Sequence, residues 1–209
     1  MPLRHLRLTG AETAVLAFTL AYVAAFTFWF LLRGNYEFVI YVATMLVLLW
    51  LVGRNLRRAA FPAAMLWALS LWGLAHMAGG GVHVGGSVLY ALRLLPLAGE
   101  GELTLLKYDQ IVHAYGFGVT AWVLWHLLVR HYPETRGSWT ASVLPALAAM
   151  GLGSVNEVIE FAAVLSVPDT NVGGYYNTAL DLVMNGLGAL VAMAIIAWTD
   201  PEVPPARAR

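Results

Sequence analysis

Tyr108-Asp109-Gln110-Ile111-Val112-His113-Ala114-Tyr115-Gly116 opens an apolar run that continues to Val129. The pattern predicts a helix that begins with a carboxylate and an imidazole four residues apart. Four residues is about one helical turn, so Asp109 and His113 share a face, with Gly116 close below. Two later segments have the same character. One is Asn156-Glu157-Val158-Ile159-Glu160. The other is Asn177-Thr178-Ala179-Leu180-Asp181-Leu182-Val183-Met184-Asn185-Gly186-Leu187-Gly188. Each puts acids or amides on one face of an otherwise greasy helix. The expectation is that the three segments meet, and that their meeting point is the functional site.

Composition sets the solvent. Of 209 residues, 60% are hydrophobic and 11% charged, and mean hydropathy is +0.70. A soluble domain carries about 25% charged residues. A deficit this large predicts an integral membrane protein whose partner is the lipid bilayer. Net charge is formally zero and no basic patch carries interleaved aromatics, so a nucleic-acid partner is not expected. Cysteine is absent, which removes disulfides, thiolate nucleophiles and Cys-type metal sites. His, carboxylates and amides remain as ligands.

Working outward, the chain reads as one all-α membrane domain of six spans over 1–209. The expected helices are Ala11–Leu32, Tyr36–Val52, Phe61–Ala78, Lys107–Val129, Ser138–Leu165 and Asn177–Thr199. A span needs about 20 apolar residues, and a signal peptide has a shorter core, so the first run is read as a helix. Gly53 to Arg58 reads as a basic cap after the second helix. Gly79 to Gly86 lacks the Lys-Ser/Thr and the strand–helix setting of a phosphate loop. Ser87–Ala98 is apolar but too short to span and reads as an interfacial segment or lid. Pro145, Gly151 and Gly153 predict a kink or close helix contact in the fifth helix. Pro168-Asp169 and Gly173-Gly174 signal a turn, and the tail Asp200–Arg209 is read as disordered.

Basic residues orient the bundle. Arg4, Arg7, Arg54, Arg57, Arg58, Arg130, Arg136, Arg207 and Arg209 fall on one side, against Arg33, Arg93 and Lys107 on the other. That asymmetry predicts cytoplasmic termini. Tyr36, Tyr108, Tyr175 and Tyr176 then mark the outer interface, and Trp50, Tyr132, Trp139 and Trp198 the inner one. In this frame Asp109, His113, His76, Glu157, Glu160, Asp181 and Asn185 come to similar depth below the outer interface. A lipid-facing carboxylate costs about 2.5–3.5 kcal/mol on the insertion scale, so the acids are expected to face inward.

Three readings of this constellation stand side by side. In the first, Asp109, His113, Glu157, Glu160 and Asp181 hold a divalent metal, with His76 or His83 adding a nitrogen. The donor set suits Zn, Mn or Fe. Asp181 and Glu160 are the candidates for acid–base work, and Asn156, Asn177, Asn185 and Gly188 support the site. A lipid or envelope-precursor headgroup is the ligand class considered. In the second, the same groups only tie the helices together. In the third, they relay protons or bind a coupling ion in a carrier, although no inverted repeat or broken helix pair is visible. His126 and His131 are read as solvated or snorkelling groups near the inner interface. Gly188 and Ala192 read as a small-xxx-small packing pair.

At these residues the chain resembles the YjdF-type bacterial inner-membrane family and, more distantly, VanZ-like proteins. The likeness runs from about His76 to Trp198. The family pattern is an Asp and His four apart, then a Glu pair, then Asp, Asn and Gly-Ala. Here these fall on Asp109 and His113, on Glu157 and Glu160, and on Asp181, Asn185, Gly188 and Ala189. His76 also resembles a family position. Where the family carries a longer Gly-Thr-Gln-Gly-Asp stretch, this chain has Asp169-Thr170-Asn171-Val172-Gly173-Gly174. The resemblance implies a polytopic membrane protein and no particular reaction. The VanZ-like link to glycopeptide resistance implies envelope chemistry.

Overall fold

The computed structural model describes residues 8–34, 36–95, 106–166 and 174–200, with side chains described for all of these except 36–40. The head with Arg4 and Arg7, the side chain of Tyr36, Pro96, the turn Pro168–Gly173 and the tail beyond Asp200 lie outside the described residues. Six long helices carry the fold: α1 (Gly10–Arg33), α2 (Tyr36–Ala59), α3 (Ala63–Gly81), α4 (Tyr108–His131), α5 (Trp139–Ser166) and α6 (Tyr175–Thr199). They fall into two compact units, Met1–Gly81 and Val82–Arg209. Among the described residues α1, α4, α5 and α6 are long and apolar enough to cross a membrane.

In the first unit, α1 starts with a reciprocal cap. Thr9 Oγ1 accepts from the Glu12 amide at 3.3 Å, and Glu12 Oε2 accepts from the Thr9 amide at 2.7 Å. Glu12 also takes both ends of the Arg57 guanidinium, at 2.9 and 3.0 Å. The basic stretch expected to follow the second helix therefore lies inside it, because α2 continues to Ala59. Gly34 ends α1 at φ +63°, a left-handed cap that glycine adopts without a Cβ penalty. α1 and α3 pack through small groups. Thr19 Oγ1 and Ser70 Oγ lie 2.7 Å apart, and a Cβ on Gly73 would overlap Tyr22 and Met45.

The second unit begins with a hairpin. β1 (His83–Val84) pairs antiparallel with β2 (Ser87–Val88) through a turn at Gly85 and Gly86, both at positive φ. A 3-10 turn, Leu89–Ala91, follows. The stretch from Ser87, expected as an interfacial segment, is here a strand, a 3-10 turn and an extended strip up to Leu95. Arg93 then pairs with Lys107 across an antiparallel bridge. The Leu94 amide donates to the Leu106 carbonyl and the Tyr108 amide to the Leu92 carbonyl, both at 2.9 Å. These bonds flank Arg93 and Lys107 rather than joining them. The two are thus a non-hydrogen-bonded pair, the kind whose side chains stand closest on one face.

Helices α4, α5 and α6 run up, down and up. The link from α4 to α5 is a short 3-10 turn, Pro133–Thr135, tied down where Arg136 grips Asp200 with bonds of 2.7–3.1 Å. The starts of α4 and α6 and the end of α5 therefore share one end of the unit. At its other end and mid-height, a core of Ala121, Ala146, Ala149, Ala189 and Met193 fills the space. These small residues let the helices approach closely. A Cβ on Gly188 would overlap the Ala114 carbonyl, and one on Gly118 would stand 3.1 Å from the Gly188 carbonyl. α4 and α6 thus touch backbone to backbone. Outward positions stay apolar, among them Leu147, Val158, Phe161 and Leu190. Trp139 and Trp198 at one end, and Tyr175 and Tyr176 at the other, are exposed, as interfacial anchors require.

Candidate metal centre

The three sequence segments do meet, within the second unit and around one imidazole. His113 is buried on the inner face of α4. Its Nδ1 lies 3.0 Å from Asn185 Oδ1 on α6. An amide oxygen only accepts, so the ring donates to it through Nδ1, and Nε2 is the nitrogen left to face other groups. Nε2 looks toward Asp109 Oδ1 at 3.6 Å and Glu160 Oε1 at 4.0 Å. Glu157 Oε1 stands 3.7 Å from Nδ1. These separations are too long for hydrogen bonds and leave space between the groups.

Asn177, in the first turn of α6, organises the acids on one side. Its amide nitrogen donates to Asp181 Oδ2 at 2.6 Å and to Asp109 Oδ2 at 3.3 Å. Its oxygen accepts from Lys107 Nζ at 3.2 Å. On the other side Asn156 donates to Glu160 Oε1 at 2.8 Å, one turn along α5. Four buried side-chain atoms here have no hydrogen-bond partner: both oxygens of Glu157, Asp181 Oδ1 and Asn185 Nδ2. Asp181 is fully buried and Glu157 is 8% exposed. A buried polar atom without a partner costs roughly 1–3 kcal/mol, and more when charged. Orphaned acceptors beside a bare imidazole nitrogen are what a cation would satisfy.

Two sets of donor atoms are close enough to hold an ion. Asp109, His113 and Asp181 form one, and His113, Glu157 and Glu160 the other, with donor atoms in each set within 4.8 Å of one another. The residues that the sequence put at the centre are all here. Asn156, Asn177 and Asn185 are the amides that hold them, and Gly188 sets the α4–α6 contact beneath. His76 lies in the first unit, stacked on Trp72 at 5.6 Å and edge-on to Tyr41 at 5.2 Å. His83 is exposed on the hairpin. Neither belongs to the donor sets found among the described residues. His131 is exposed and bonds the Leu127 carbonyl through Nδ1 at 2.8 Å.

Two residues of the site were not assigned to it from the sequence, and a third was read for packing alone. Gln110 is fully buried, and its Oε1 accepts from the amides of Leu106 and Lys107 at 2.6 and 3.2 Å. The signal was there: a Gln at the third helical position is half of a capping pattern. Lys107 was counted only for orientation, yet its ammonium reaches Asn177. Gly153, expected at a kink or close helix contact, does stand close to α6. Its role is to make room, since a Cβ there would stand 2.6 Å from Asn185 Nδ2.

Apolar helices of spanning length around a buried acid–imidazole cluster define a helical membrane protein. The chain belongs to the family described as predicted membrane protein (DUF2238), whose pattern matches residues 14–201. That match agrees with the YjdF-like resemblance and extends it back into α1, while the VanZ-like one finds no support in it. No curated protein and no solved structure matches the chain.

Proposed function

We propose that this protein is a six-span, multi-pass protein of the bacterial inner membrane, with cytoplasmic termini and an outward-facing divalent-metal site that acts on a lipid or envelope-precursor headgroup. One observation carries the metal reading: carboxylate oxygens of Glu157 and Asp181 are buried without donors around an imidazole whose Nδ1 is already held by Asn185. Zn, Mn or Fe fits a nitrogen–oxygen donor set of this kind. Such an ion would polarise a phosphoryl or ester oxygen. Asp181 and Glu160, both beside the imidazole, are the groups placed to move a proton. The basic asymmetry supports the orientation, and Lys107 with Arg93 places positive charge where an anionic headgroup would arrive.

The rival reading is a network that only ties helices together. The Asn177 bonds to Asp109 and Asp181 favour it. It leaves Glu157 unexplained, because neither of that residue's buried oxygens accepts a hydrogen bond within 3.5 Å. The test is elemental analysis of the protein purified in detergent, beside His113→Ala and Asp181→Asn. At least one equivalent of a transition metal in the parent, reduced in both variants at unchanged helicity, supports the site. A parent that holds no metal and shows no thermal shift on resupply overturns it.

A further inference from the structure

Within that metal reading, we infer that the site takes two divalent cations rather than one: the first between Asp109, His113 Nε2 and Asp181, the second on Glu157 and Glu160. The donor sets share His113 and nothing else. Atoms bound to one ion at about 2.0–2.2 Å lie within about 4.4 Å of each other. Among the described residues no set brings an acid of the first group together with an acid of the second. A single ion in this arrangement therefore reaches one pair of carboxylates and leaves the other.

The orphaned oxygens divide in the same way. Asp181, whose Oδ1 has no donor, belongs to the first set, and Glu157, whose two oxygens have none, belongs to the second. Filling one set alone would leave a buried carboxylate uncompensated, an arrangement that is strongly destabilising. The amides agree. Asn177 takes one oxygen each from Asp109 and Asp181, and Asn156 takes one from Glu160. Each acid pair thus has its own positioning amide. Charge points the same way. Four carboxylates face one ammonium, Lys107, so a single divalent ion leaves net negative charge and a pair leaves slight positive charge. A positive pair of ions is suited to clamp two oxygens of a phosphoryl group. The imidazole serves the first ion alone, because Asn185 occupies Nδ1. The second ion has oxygen ligands, completed by water.

The test is manganese loading of the detergent-purified full chain, read by bound-metal stoichiometry and electron paramagnetic resonance. Two equivalents per chain and a spin-coupled signal are expected. Glu157→Gln with Glu160→Gln, checked for helicity, should fall to one equivalent with the six-line signal of isolated manganese. A parent that saturates at one equivalent with the isolated six-line signal overturns the pair but leaves the mononuclear reading standing. A parent that binds none overturns both.

Discussion

Asn185 on α6 holds His113 on α4 through a 3.0 Å contact between amide oxygen and Nδ1. That one contact ties Nδ1 to α6 and leaves Nε2 toward Asp109 and Glu160. Groups that orient a metal-binding imidazole typically change metal affinity about 10–100-fold when removed. Asn185→Leu should therefore weaken metal binding about 10–100-fold in a chelator competition, with all carboxylates intact. Unchanged affinity would mean that Nδ1 is not the held nitrogen.

Gly153 tests the same contact from behind. In Gly153→Ala the new methyl would stand 2.6 Å from Asn185 Nδ2 and push the amide off His113. Metal affinity should drop as it does in Asn185→Leu. Gly151→Ala is the control on the same helix: nothing lies within 4 Å of its Cβ. Alanine there should be neutral or stabilise by up to about 1 kcal/mol. Equal behaviour of the two variants would remove the link.

Glu157→Gln separates a cation site from a structural network by the sign of its effect. Without metal, the parent buries a carboxylate that has no donor, and the variant buries a neutral amide of the same size. The metal-free variant should melt at a higher temperature than the metal-free parent, and metal should raise its melting temperature less. A lower melting temperature in the metal-free variant would show that the carboxylate is already stabilised by the protein.

Gly188→Ala places a methyl on the Ala114 carbonyl. Backbone cannot yield as a side-chain tip can, so the helices must part. The expected loss is about 1–3 kcal/mol, read as a lower melting temperature in detergent. A melting temperature equal to the parent's would mean that α4 and α6 do not touch backbone to backbone.

The chain lacks cysteine, so topology can be read with single introduced thiols. His83 on the hairpin and Glu134 in the α4–α5 link are both exposed. In intact cells His83→Cys should react with a membrane-impermeant maleimide, and Glu134→Cys only after permeabilisation. The reverse pattern would invert the bundle and put the acids on the cytoplasmic side.

The helices were legible because membrane residence imposes long apolar runs. The site was legible because acids in such runs have few places to go. Asp109 and His113 one turn apart gave one face, and Glu157 with Glu160 gave another. What the sequence did not disclose depends on three-dimensional approach. Nothing local tells that Gly153 stands behind Asn185, or that Lys107 reaches Asn177. Apolarity from Ser87 onward does not by itself disclose the short strand and 3-10 turn found there. The basic end of the second helix was read as a cap because charge marks an interface, while the backbone can stay helical through it.

The Gly188–Ala114 contact has a mechanical consequence. Interlocked backbones set a register, and slipping by one turn would move α6 about 5.4 Å along α4. Asn185 would then pass His113, and Asp181 would leave Asp109. The positions of Asp109, His113, Asp181 and Asn185 relative to one another are thus set by the scaffold itself. α5, which brings Glu157 and Glu160, is the helix of the three that this interlock does not hold in register.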